Sequence, residues 1–219
     1  MSDSTQLSDL DPAIGGGLTN FLRLPGEIRN TIYEFTLLDS LPIRPFFGRN
    51  FRISMALFRV SKTINQEATQ FFYSHNVFDF SGYSLASQVF FLNQIGVRNA
   101  SYIRHVIIDF PDFLDLPSNV ALDEQSLGIL ESISTSCTGL STLRTSLEST
   151  TFMEIVFSYP FEYNIATKAL QLVDTHCRAL PSRPEVILEV FGHAPSDSLR
   201  TVMETQGWTL KKETCPIED

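Results

Sequence analysis

The sequence contains no hydrophobic run approaching the roughly 18 apolar residues that a membrane-spanning helix needs; its densest patch, Val89-Phe90-Phe91-Leu92, is far too short. No membrane partner or span is expected. Cysteine is scarce: Cys137, Cys177 and Cys215 are odd in number and far apart, which fits free thiols in a reducing compartment rather than a disulfide framework. The first residues, MSDSTQLSDLDPAIGGGL, carry acids where a signal peptide carries bases, and no apolar stretch follows. The expected location is therefore intracellular, cytoplasm or nucleus. Positive charge is also short, with 16 Lys and Arg against 25 Asp and Glu and a net charge of −9. A protein that holds a duplex needs the opposite balance, so no nucleic-acid partner is expected.

Signatures of catalysis are missing as well. There is no Gly-x-Ser-x-Gly, hence no α/β-hydrolase elbow. His75, His105, His176 and His193 are scattered, and none falls in a His-x-x-x-His or Cys-x-x-Cys ligand spacing, so neither a metal nor a cofactor is expected. His176 and Cys177 are adjacent, but neighbouring residues on a helix point about 100° apart, which leaves a buried cysteine beside a surface histidine. Gly15-Gly16-Gly17 lacks the Gly-Lys-Ser/Thr of a phosphate cradle. Asp109, Asp112 and Asp115 follow an apolar strand, the place where open α/β sheets bind ligands; they also alternate with apolar residues as a half-buried surface loop does, and that is the preferred reading. The chain is expected not to be an enzyme.

What the sequence does have is 219 residues, 43% of them hydrophobic, enough for one large domain or two small ones without a covalent or metal staple. Residues 1–19 are rich in Ser, Asp and Gly and read as a disordered tail. Seven bases and three acids fall within residues 21–62, against nine bases and nineteen acids within 63–219. A mildly basic module thus precedes an acidic body, an asymmetry that can steer an acidic partner to one end but that a solvated helix pair also carries.

Periodicity predicts a helix from Pro25 to Leu38, with Ile28, Ile32 and Phe35 at i, i+4 and i+7 on one face and Pro25 in the first turn. A Pro-rich connection over 41–50 leads to a second helix from Ser54, its expected N-cap, to Ser74, striped by Leu57, Val60, Ile64, Ala68 and Phe71. Asn76 is the expected left-handed stop. Beyond it, strands at 77–80, 105–110, 142–147, 185–191 and 208–210 alternate with helices at 84–95, 122–136, 165–180 and 196–206; residues 151–163 read as loop or strand. The continuous apolar run at 106–108 suggests a strand covered on both faces. Strands separated by helices imply a mainly parallel α/β layer. Spacings between strands are uneven, so the body, 77–219, is an ordinary layer or an irregular leucine-rich-repeat-like array.

The N-terminal module, residues 20–76, carries a family resemblance. Leu24, Pro25, Glu27, Ile28 and Ile32 match the opening of an F-box, and Leu57-Phe58-Arg59-Val60-Ser61-Lys62 resembles its second half. Closer still is a group of fungal F-box-like proteins, whose first motif reads Leu-Pro-x-Glu-Ile-Arg-Asn-x-Ile-Tyr-Glu. Their second reads Arg-Val-x-Lys/Arg-x-Ile-x-x-Glu-Ala, followed by Phe-Tyr-x-x-Asn-x-Phe. Here these are Leu24 to Glu34, Arg59 to Ala68 and Phe72 to Phe78, within a span of about sixty residues. The resemblance implies a non-enzymatic adaptor that docks on a Skp-type protein of a cullin-based ubiquitin ligase through Leu24, Pro25, Ile28 and Ile32, while the body captures an unknown substrate protein. The alternative is a stand-alone scaffold or interaction domain whose two helices bury their apolar faces in its own core. Accessible Ile28 and Ile32 are expected of an adaptor, and full burial of both of a stand-alone domain.

Overall fold

The computed structural model describes residues 21–46, 56–116, 119–158, 163–191 and 195–213. Ser54, the tail at 1–19 and Cys215 lie outside them. Helix α1 spans Gly26–Leu37, with Pro25 at its N-cap rather than inside its first turn. Helix α2 spans Lys62–His75 and starts later than its periodicity suggests. Leu57–Arg59 forms a separate 3₁₀ turn. The side chain of Ser61 then caps α2 by accepting from the Ile64 N–H at 3.2 Å, satisfying one of the orphan donors of the first turn.

Five strands, β1 (Val77–Asp79), β2 (His105–Ile108), β5 (Thr142–Thr145), β6 (Glu185–Phe191) and β7 (Thr209–Glu213), form one parallel sheet in the order β1-β2-β5-β6-β7. Each strand is laid beside the one before it, so the order never reverses. Ile43 extends the β1 edge by a parallel bridge to Phe78. Between strands lie α3 (Leu85–Ile95) and α4 (Val97–Ala100), a hairpin of β3 (Phe113–Asp115) and β4 (Asn119–Leu122), α5 (Glu124–Ser136), α6 (Leu147–Ser158), α7 (Tyr163–Ala179) and α8 (Asp197–Thr205). Right-handed crossovers in an unreversed order put their helices on a common face. Consistent with that, α3 packs on α5 and α7 on α8.

Register sorts the strand residues into two faces. Phe78, Val106, Leu143 and Val186 form one row, and Ile108, Thr145, Leu188 and Leu210 the next; this face meets the helices and holds the core. The opposite face presents Asp79, His105, Thr142, Arg144, Glu189 and Lys211, with Ile107 its single fully buried member among the described residues. The expectation that both faces of β2 are covered holds over 106–108, since Val106 and Ile108 on one side and Ile107 on the other are all buried; away from Ile107 the second face of the sheet carries most of its charge. Arg144 and Lys211 both reach Glu189, at 3.1 and 4.0 Å. Tyr33, Leu37, Ile64 and Ala68 belong to the same buried cluster as Val106, Leu143, Leu188 and Trp208. The N-terminal helices and the sheet therefore share one core.

Three further readings change. Residues 151–158 are helical, part of α6, and the hydroxyls of Thr150 and Thr151 are accommodated there by donating to the carbonyls four residues back, at 2.9 and 2.8 Å. The loop after Asp109 contains the β3–β4 hairpin. Asn76 is extended, with φ −85° and ψ 153°, so the chain passes from α2 straight into β1.

Candidate functional site

Helix α1 buries a stripe other than the one its aliphatic periodicity suggests. Tyr33 and Leu37 face the core, at 1% and 0% exposure, whereas Ile28 is 48% and Phe35 86% exposed. Ile32 and Leu24 are half-buried and Pro25 is exposed. Of the four nominated residues none is fully buried, and together with Phe35 they leave an apolar ridge along the solvent side of α1. Phe35 sits on the stripe read from sequence but was absent from the nominated set; its place one turn beyond Ile32 was the signal. Leu38 and Leu41, also exposed, continue apolar surface beyond the helix.

The inward stripe is Arg29, Tyr33 and Leu37, and its polar members tie the two motifs together. Arg29 donates from Nε and Nη2 to the two oxygens of Glu67, at 2.9 and 3.0 Å, and Tyr33 donates its hydroxyl to Glu67 Oε2 at 3.0 Å. A third guanidinium nitrogen reaches the Leu24 carbonyl at 2.7 Å, fixing how the chain enters the helix. Such a two-pronged pair fixes orientation as well as distance. The Arg29 and Tyr33 hydrogen bonds hold the Glu67 carboxyl below its ordinary range, against the opposing effect of burial. Burial, with the Glu67 hydrogen bond second, pushes the Tyr33 phenol up to about 12.

Asn76 completes the clamp. Its Nδ2 donates to the carbonyls of Leu37 (2.8 Å) and Phe72 (2.9 Å), and its Oδ1 accepts from the Asp39 N–H (2.8 Å). One buried amide thus bridges carbonyls at the ends of both helices, the Phe72 carbonyl also accepting from the Asn76 backbone N–H. Phe72 and Tyr73 pack their rings on Phe78, with centroids 5.9 and 5.6 Å away. Four polar letters of the motifs, Arg29, Tyr33, Glu67 and Asn76, therefore face inward, whereas Glu27, Asn30, Glu34, Arg59 and Lys62 are exposed, as are several of the apolar letters of the first.

At the carboxyl ends of β1, β2 and β5, Asp109 accepts from the Gly82 N–H at 2.6 Å and from the Ser146 hydroxyl at 2.9 Å. Gly82 has a φ of +73°, which only glycine adopts without strain, and this turn lets its N–H meet Asp109. Asp109 is thus a hub that ties two loops, while Asp115 pairs with Asn119 in the hairpin. Among the described residues no three His, Cys, Asp or Glu gather as a metal-ligand group. Cys177 is buried beside the half-buried His176, and burial pushes its thiol up to about 12, far from a nucleophilic thiolate. Trp208 is buried and bonded to Asp174 at 2.8 Å, so it is not a partner surface; Phe90, 61% exposed, is on the surface. No helix among the described residues is long and apolar enough to cross a membrane.

Comparison with family models, with curated proteins and with solved structures finds no match in any of the three.

Proposed function

We propose that this protein is a non-enzymatic interaction subunit whose N-terminal helices dock on a Skp-type adaptor of a cullin-based ubiquitin ligase and whose α/β body captures another protein. The observation that carries this reading is the apolar ridge of Ile28, Ile32 and Phe35 on a helix locked in place by internal ionic and amide bonds. A rigid helix presenting apolar anchors at helical spacing is what a groove on a partner recognises. The resemblance of Leu24–Glu34 and Arg59–Phe78 to fungal F-box-like proteins supplies the partner class. In the body, strands laid down in chain order with helices on one face support the leucine-rich-repeat-like description, and they leave a charged sheet face open to a partner.

The second reading, a stand-alone scaffold, is favoured by a specific observation: Arg29, Tyr33, Glu67 and Asn76 serve the protein's own packing, so these polar residues of the motifs have a purpose without any adaptor. The test is binding of the purified chain to a Skp-type protein, with an Ile28→Asp, Phe35→Asp double variant. Both side chains are largely exposed, so the variant should melt like the wild type. Loss of binding in this folded variant supports docking. A wild type that does not bind the adaptor rules docking out and leaves the scaffold.

A further inference from the structure

A cleft of about 800 Å³ opens where β1, β2 and β5 end, between the loop after β1, the hairpin side of β2 and the start of α6. Its apolar floor comes from Phe113, Leu116, Met153 and Phe157, with the rings of Phe113 and Phe157 6.1 Å apart. Its rim is acidic: Asp109, Asp112 and Glu148 line it, against one base, Arg44. Arg44 is already engaged, 3.3 Å from Asp79 and donating to the Ser81 carbonyl at 2.8 Å. The carboxylates of Asp112 and Glu148, both exposed, have no hydrogen-bond or ion-pair partner among the described residues.

We infer that this cleft receives a basic segment of the captured protein, an Arg or Lys flanked by an apolar side chain. The apolar floor takes the flanking side chain and the aliphatic stem of the base, and the rim carboxylates take the cationic head. Partial burial, with Asp123 and Asp109 nearby, pushes the Asp112 carboxyl up, a repulsion that an incoming cation relieves. The acidic body, with nineteen acids to nine bases over 63–219, steers such a segment inward. A metal ion is a poorer fit, because Asp109 is already held by Gly82 and Ser146 and half the lining is apolar. The inference deepens the capture half of the proposed function and does not depend on adaptor docking.

The experiment is selection of random dodecapeptides from a display library on the full chain, followed by fluorescence anisotropy with synthetic copies of those selected. The expected result is enrichment of Arg or Lys next to Leu or Phe, with binding weakened by salt. An Asp112→Asn, Glu148→Gln variant, checked by its melting curve, should weaken the peptides about tenfold, the sum of two partly shielded ion pairs. The Ile28→Asp, Phe35→Asp variant should bind them unchanged, which separates failure at the cleft from failure at α1. Selection without basic enrichment, or peptides that bind the Asp112→Asn, Glu148→Gln variant equally well, overturns the inference.

Discussion

Individual residues divide sharply between those that hold the molecule and those that face outward. Glu67 illustrates the first group, because its carboxylate is the common acceptor for Arg29 and Tyr33. Its folded-state pKa is lowered, so its contribution is complete above the ordinary carboxylate pKa of 4.5 and disappears as pH falls through the lowered value. Urea melts at neutral pH should find Glu67→Gln less stable than wild type, with the gap closing in acid. Salt should shrink the gap as well, since the pair is partly solvated. Glu154 has the reverse sign. Burial raises its carboxyl from 4.5 to about 7, with Arg200 pulling the other way, so its favourable contribution is full below pH 4.5 and lost as pH rises through about 7. Glu154→Gln is therefore expected to raise the melting temperature at pH 8 and to leave it unchanged at pH 4. Cys137 and Cys177, both buried with thiols pushed up to about 12, should escape alkylation in the native protein and react on unfolding, as peptide mass spectrometry can follow.

At the scale of elements, α1 and α2 were legible in outline, and α2 buries Ile64 and Ala68 of its expected stripe. Aliphatic spacing places Ile28, Ile32 and Phe35 on one face of α1 and leaves open whether that face is core or surface, and the helix turns Arg29, Tyr33 and Leu37 inward instead. The reason is that Arg and Tyr count as polar in a periodicity although their bodies bury well when a carboxylate waits at the end. No local pattern reveals that Glu67, 38 positions away from Arg29, is that carboxylate. Strand positions were readable because β-rich runs alternate with helical ones. The hairpin at 113–122 was not, since its strands are only three and four residues long, are separated by Leu-Pro-Ser, and the first ends on an acid. Nor was the cleft, which forms only when three strand ends and α6 come together.

Two cap substitutions test the element boundaries. Ser61→Ala removes the acceptor for the Ile64 N–H and should cost about 1 kcal/mol, read as a fall of roughly 2–4 °C in melting temperature. Asn76→Ala strands the Leu37 carbonyl and the Asp39 N–H, while the Phe72 carbonyl keeps the Asn76 backbone N–H, and should cost about 2–4 kcal/mol, whereas Phe35→Asp on the exposed ridge should stay within about 0.5 kcal/mol of wild type. If Phe35→Asp were as damaging as Asn76→Ala in a denaturant melt, the ridge would be core and not surface.

For the whole molecule, the notable property is a division of surfaces. The ridge on α1, the charged sheet face and the acidic cleft are carried by one continuous core, so the two partners proposed for α1 and for the cleft would be held at a fixed separation. That is the arrangement a bridging subunit requires, and the adaptor and peptide experiments examine its two ends separately.

The strand order has a consequence for how this protein is made. In the sheet, each strand lies beside the one completed before it. A chain emerging from the ribosome can therefore add β2 to β1, then β5, β6 and β7, each onto a template already present, with no strand having to wait for a later one. The growing edge exposed at every intermediate length is open to the next segment of the same chain. Among the described strands the last edge is β7, where Lys211 and Lys212 discourage pairing with a second copy.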